Sequence, residues 1–208
     1  MDDQTLQALT RFQRLRKGLL AGAIACLFGA SLFAQSIFKP DTAIHAAIVL
    51  LGHTMIFFGI LGRLWATLYI GGRKSRKLIE NGRYSVTRNP LYFFSSVAAA
   101  GVGALTGSIT IMIGFGVFCA AAFHFVILRE ERFLTAQAGP AYQSYMTRVP
   151  RFLPDPSLYR DANAVVVHTR FLKKTLFDSL GFIAAVPRLK ILEHAQAAGM
   201  LPVLFRLP

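Results

Sequence analysis

An all-α membrane protein of four transmembrane helices is the fold class that the sequence predicts, and three observations predict it. The 208 residues include only 16% charged ones against 54% hydrophobic, where a soluble domain of ordinary composition carries about 25% charged residues. Long stretches carry no charge at all. The net charge of +13 is dispersed around those stretches instead of forming one basic tract, which favours anionic lipid headgroups over nucleic acid as the electrostatic partner. The expected organisation is a transmembrane unit over residues 1–155 and an interfacial amphipathic extension over 156–208.

Arg11, Arg14, Arg16 and Lys17 precede the first apolar run, and Phe12, Leu15 and Leu19 suit a short surface helix. The first span is expected at 18–38, Gly18 to Phe38, 21 residues without a charge and about 31 Å long at helical rise. Lys39-Pro40-Asp41 ends it. The second span, 42–70, is longer than one crossing requires, so it tilts or projects into the interface. It carries His45, His53 and Arg63. Arg63 either snorkels from the cytoplasmic end or lines a polar cavity. Trp65 and Tyr69 fit an aromatic belt at the same level.

Leu91 to Leu128 has no charged residue with His counted as neutral. As one helix these 38 residues would be about 57 Å long, nearly twice the hydrocarbon thickness, so they must fold back. Thr106-Gly107-Ser108 is the expected turn, giving a hairpin of spans 91–105 and 109–128. The small residues on its arms, Ala98 to Gly101 and Gly103 facing Gly114, Gly116, Ala120 and Ala121, permit close backbone approach. The basic residues at the N-terminus, in the 71–92 loop and after Leu128 set all three on the cytoplasmic side. The result is a multi-pass protein with both termini cytoplasmic, in a plasma or inner membrane. Residues 171–208 mix Lys and Arg with Phe, Leu and Ile, without an uninterrupted run of the roughly 18 residues a span needs. Interfacial amphipathic helices are expected there, with a short fifth insertion around Leu176–Val186 as the alternative. Cys26 and Cys119 both lie in apolar runs and read as small hydrophobes. No metal site is expected.

The most informative stretch is polar, from Lys77 to Tyr92, reading KLIENGRYSVTRNPLY. Asn81-Gly82 is a turn dipeptide, and Pro90 sets the first turn of the next helix. A second motif follows the hairpin: Glu130-Glu131-x-x-Leu134, then Gly139-x-x-Tyr142-x-x-Tyr145, then Val149-Pro150-Arg151-Phe152-x-Pro154. In this order and spacing, over roughly residues 60–155, the chain resembles the integral-membrane methyltransferases of the isoprenylcysteine carboxyl methyltransferase and phospholipid methyltransferase group.

The resemblance implies S-adenosylmethionine as cofactor and a lipophilic acceptor reached from the bilayer. Carried over by position, the cofactor residues are Arg76, Lys77, Leu78, Ile79, Tyr84, Arg88, Asn89, Pro90, Leu91, Tyr92 and Glu130. Relatives often place His where Asn89 stands, and either side chain donates and accepts hydrogen bonds. The prenylcysteine enzymes place an arginine where Val126 stands, which puts a prenylcysteine acceptor in question.

Glu131 and His124 are candidate bases. They lie seven residues apart and so share a helix face. A carboxylate acceptor would need no base, whereas an amine would have to lose a proton first. Each residue has a plainer reading as well. Tyr84 and Tyr92 can anchor at the interface, the glutamates can pair with Arg129 or Arg132, and His124 can be packed. Two other functions stay open: an NADPH-dependent reductase similar to the steroid-reductase group, and a non-catalytic membrane scaffold. Oligomeric state is not legible in the chain.

Overall fold

The computed structural model describes residues 22, 28, 29, 31–70, 82–161, 164, 165 and 167–208. Its helices are α1 (Ala43–Ile70), α2 (Arg83–Val86), α3 (Pro90–Ala104), α4 (Ile109–Ala138), α5 (Pro140–Arg148) and α6 (Thr169–Ala197). Two three-residue strands, β1 (Ala34–Ser36) and β2 (Phe205–Leu207), pair in parallel.

Local chemistry sets the boundaries. Thr42 precedes α1, and its hydroxyl accepts from the His45 amide at 3.3 Å. Pro90 opens α3 at a position where its missing N–H costs nothing. Ser108 caps α4 by accepting from the Ile111 amide at 3.2 Å. Gly139, at φ 56°, stops α4 and lets Pro140 start α5.

α1, α3 and α4 pack through small residues. A Cβ on Gly101 would sit 2.7 Å from the Gly52 carbonyl oxygen, and one on Gly52 would sit 2.8 Å from that of Gly101. Gly103 meets the Ile111 carbonyl in the same way, at 2.6 Å. Lipid gives helices no hydrophobic drive to associate, so such close backbone approach supplies the cohesion. Gly114, by contrast, faces open space. Of the residues on that arm, Gly116 does meet α3, with its Cβ position 3.0 Å from Ala100.

Among the described residues two helices are long and apolar enough to cross a membrane, Ala43–Tyr69 and Ile109–Ala138. The 15 residues of α3 reach only about 22 Å. The first expected span lies largely outside the described residues. Its end differs from the expectation, because Ala34–Ser36 leave helical geometry to pair with β2. α4 runs to Ala138, ten residues past the expected span end at Leu128, and so carries Glu130 and Glu131 on a rigid helix.

The C-terminal part departs most from expectation. Residues 169–197 form one helix that lies lengthwise and antiparallel against α1. Thr175 bonds Thr67 at 2.9 Å, Ser179 accepts from Arg63 at 3.2 Å, and Glu193 lies 3.8 Å from His45. Ala185 and Leu189 enter the main core with Ile56, Val102, Leu105, Ile111 and Phe115. The sequence led to the expectation of a separate extension, and the helix instead packs into the bundle. The C-terminus is held at the α3–α4 turn, where the Pro208 carbonyl accepts from Thr110 N at 2.8 Å and Ser108 Oγ at 2.7 Å.

Candidate active site

The site is built where α3 begins and α4 leaves the bundle. Gly82 is required there twice over: its φ is 62°, and a side chain would strike the Tyr69 ring. The following segment is laced to residues 150–160 by its backbone. Gly82 N donates to the Arg160 carbonyl at 2.7 Å, Asp155 N to Val86 O at 2.8 Å, and Arg88 N to Pro150 O at 2.9 Å. Asn89 Nδ2 adds a bond to Arg151 O at 3.0 Å, and Thr87 Oγ1 one to Phe152 O at 3.1 Å. The two motifs read in the sequence thus meet through direct pairing as well as through the hairpin.

Within this frame the Tyr92 hydroxyl donates to Glu130 Oε1 at 2.8 Å, and the Tyr92 ring lies 4.6 Å from that of Phe123. The Tyr145 hydroxyl donates to the Tyr84 carbonyl at 2.6 Å. Burial, followed by the nearby Tyr145, Glu130 and Tyr92, pushes the Tyr84 hydroxyl well above the ordinary tyrosine value. Tyr92 thus holds the half-buried Glu130 carboxylate, with the Phe123 ring packed on Tyr92 and the Tyr84 hydroxyl close enough to feel its charge.

Glu131 is turned the other way and is 5% exposed. Arg151 Nε donates to its Oε2 at 3.0 Å. Arg88 Nη1 lies 3.1 Å from Oε1, close enough for an ion pair but without hydrogen-bond alignment. The carboxylate thus clamps the 82–89 and 150–152 segments to α4. Both oxygens of this residue, a candidate base by sequence, face guanidinium groups. Arg88 is correspondingly spent on Glu131. Tyr142 is buried beside the clamp. Burial, and after it the Glu131 charge, raises its hydroxyl to about 12.

His124 is exposed, and its nearest ring neighbour is Phe125 at 6.3 Å. It does share a flank of α4 with Glu131. Glu131, unlike it, is buried against the 82–89 and 150–152 segments. Pro90 is fully buried and Leu91 half-buried at the start of α3. Arg76, Lys77, Leu78 and Ile79 lie outside the described residues.

Arg63 does not snorkel. It lies between helices, bonded to Ser95 on α3 and Ser179 on α6, with its guanidinium 5.6 Å from the Phe182 ring centre. Trp65 and Tyr69 each make a protein contact: Arg83 stacks 3.4 Å over the partly exposed Trp65 ring, and Tyr69 donates to Asp161 at 2.7 Å. Burial pulls the Arg83 guanidinium below its usual value.

Arg151 and Tyr145 were not singled out as site residues by sequence reasoning. Both sit in motifs the sequence displays, and Arg151 was a charge available to a glutamate pair. A cavity of about 250 Å³, lined by Ser31, Lys39, His45, Glu193, Gln196 and Arg206 among others, lies at the opposite end of the bundle and takes no part in this site. Among the described residues no group of three or more His, Cys, Asp or Glu side chains is placed to hold a metal ion.

A hairpin of apolar helices with a carboxylate held by tyrosine at its mouth, joined to a Gly-x-Tyr and Arg-Asn-Pro-x-Tyr loop, defines a membrane methyltransferase class. The chain belongs to the phospholipid methyltransferase family, whose model matches residues 41–139, from α1 through α4. It is similar to the nickel-cobalt-cadmium resistance protein NccN of Alcaligenes xylosoxydans xylosoxydans, 36% identical over 168 residues, which are 81% of this chain and 78% of that protein. It is also similar to the cobalt-zinc-cadmium resistance protein CzcN of Cupriavidus metallidurans, 32% identical over 196 residues, 94% of this chain and 90% of that one. A match of that extent necessarily includes most of α6. No solved structure matches the chain.

Proposed function

We propose that the protein transfers a methyl group from S-adenosylmethionine to a lipophilic acceptor held at the membrane surface. The observation that carries this is Glu130, fixed by Tyr92 with Phe123 packed on the Tyr92 ring and the Tyr84 hydroxyl nearby, at the mouth of the α3–α4 hairpin in a chain of this family. A carboxylate among aromatic faces suits a cation, by charge and by ring quadrupole. The residues present therefore fit a sulfonium donor. Glu130, Tyr84, Asn89 and Tyr92 would hold it, together with the Arg76–Ile79 stretch that the resemblance assigns. When bound, that donor supplies an electrophilic methyl group.

The chain's own contribution is positioning. The Tyr92 bond sets the Glu130 rotamer. Phe123 packs on the Tyr92 ring and so supports that bond. The Arg88–Glu131–Arg151 clamp holds the loop that carries Asn89 and Tyr92. With Glu131 engaged in that clamp and His124 facing outward, the arrangement favours an acceptor already ionised, such as a carboxylate, over an amine that must first lose a proton.

The basic segments favour the cytoplasmic face for this site and contact with anionic lipids there. The relatives' names extend the reading: the methylation serves tolerance of divalent heavy metals, and cells lacking the protein should lose some of it.

Purified protein in detergent tests the cofactor. S-adenosylmethionine and its demethylated product should raise the unfolding temperature, and NADPH should not. Glu130→Ala should insert normally and lose the effect. Stabilisation by NADPH alone would replace this reading with a reductase. No stabilisation by any of these would favour a scaffold.

A further inference from the structure

We infer that α6 crosses the membrane with its outer face in contact with lipid acyl chains, and that the C-terminus therefore lies across the bilayer from the candidate active site. The inference uses the fold alone and does not depend on the proposed chemistry.

The first support is register. α1 passes the length and apolarity test for a span, and α6 follows it antiparallel from end to end. Thr67 faces Thr175, Arg63 faces Ser179, and His45 faces Glu193. From Thr175 to Glu193 the helix rises about 27 Å, close to the hydrocarbon thickness of about 30 Å. A helix held beside a spanning helix over that length traverses the same depth.

The second support is the chemistry of its two faces. The inner face carries the polar groups, and they are satisfied within the bundle: Ser179 accepts from Arg63 and donates to Thr175 O at 2.7 Å, while Thr175 and Thr67 bond each other. The outer face, opposite, presents Phe177, Leu180, Ala184, Pro187 and Ile191, spaced at helical intervals with no charge among them. Phe177 and Ile191 are each 69% exposed, and Leu180 is 44% exposed. Such a stripe is an unfavourable surface in water and an ordinary one in lipid.

The charges that interrupt the sequence, Asp178, Arg188 and Lys190, lie off this stripe, and Lys173 and Lys174 stand in the first two turns of the helix. There, long basic side chains can reach the headgroups. The candidate spans α1 and α4 expose apolar side chains of the same kind, including Leu50, Phe57, Val117 and Phe125, which makes acyl chains the occupant.

The third support is the end of the chain. β2 pairs with β1, and Pro208 O is bound by Ser108 and Thr110 at the turn remote from Glu130. The last residues are thereby anchored at the far face.

Cysteine labelling tests the topology in intact cells that express the full chain with Cys26 and Cys119 replaced by alanine. A membrane-impermeant maleimide should label Met200→Cys and Arg206→Cys on one side of the membrane and Gln143→Cys on the other. Gln143 is exposed on α5, beside the site. The three positions reacting on the same side would overturn the inference.

A protease-sensitive epitope appended to Pro208 of the otherwise unaltered chain gives an independent readout. Cleavage from the face opposite to Gln143 supports the crossing, and protection there with cleavage from the site's face refutes it. A nitroxide at Leu180→Cys in vesicles should be relaxed more by lipid-soluble oxygen than by a water-soluble nickel chelate. The reverse order would place α6 in water.

Discussion

Replacing Glu131 with leucine removes the carboxylate that faces both Arg88 and Arg151, and the structure ranks the consequences. The Arg88 side chain is 8% exposed and that of Arg151 is 41% exposed. Without Glu131, Arg88 becomes a buried cation lacking this counter-charge, a change that costs about 3–5 kcal/mol. For a chain of this size that corresponds to a fall of about 6–20 °C in unfolding temperature. Arg151→Ala removes a half-exposed partner and leaves Glu131 paired with Arg88, so its cost should be about 0–1 kcal/mol. Arg88→Met should fall between them, because Glu131 keeps its aligned bond to Arg151. Adding Arg88→Met to Glu131→Leu should recover much of the loss, since apolar groups then replace both charges. Thermal unfolding in one detergent, without ligand, measures all four variants. If Arg151→Ala is as damaging as Glu131→Leu, or the double variant is no better than Glu131→Leu alone, the clamp as described is wrong.

Three further predictions follow from other residues. Tyr92→Phe should weaken binding of the demethylated cofactor product about 10-fold or more, since a hydrogen bond to a charged group contributes about 1.5–3 kcal/mol; equilibrium binding would show it, and unchanged affinity would detach Tyr92 from the site. Gly101→Ala and Gly103→Ala should each destabilise the bundle by about 1–3 kcal/mol or more, because their Cβ atoms would meet backbone at under 3 Å, while Gly114→Ala should be neutral or slightly stabilising. The folded state holds the Tyr142 proton to about pH 12, against about 10 for an ordinary tyrosine, so its contribution is complete below pH 10 and is lost as pH rises towards 12. Tyr142→Phe should flatten the stability–pH curve in that window by about 1.4 kcal/mol per pH unit at most.

Much of this arrangement was legible because it is local. Lack of charge over 91–128 demands a fold-back, and Thr106-Gly107-Ser108 supplies both the turn and the Ser108 cap. An antiparallel hairpin then forces its two open ends together, which is why Tyr92 and Glu130 lie side by side. The parts that escaped depend on partners distant in the chain. Asp178, Arg188 and Lys190 break every long apolar run in 171–208, so α6 looked interfacial; only packing on α1 shows which face each residue occupies. The three-residue strands are too short to carry a period, and they pair across 171 residues. His124 and Glu131 share a helical flank, but helical spacing says nothing of how far the covering segments reach. Arg63 looked expensive because Ser95 and Ser179, its partners, lie on other helices.

The most direct test uses membranes that contain the full-length protein and S-adenosylmethionine labelled in its methyl group. The account predicts label in the organic-extractable fraction with wild type, and far less with Glu130→Ala at matched protein levels. Equal labelling by membranes with and without the protein, or full transfer by the Glu130→Ala variant, would contradict it.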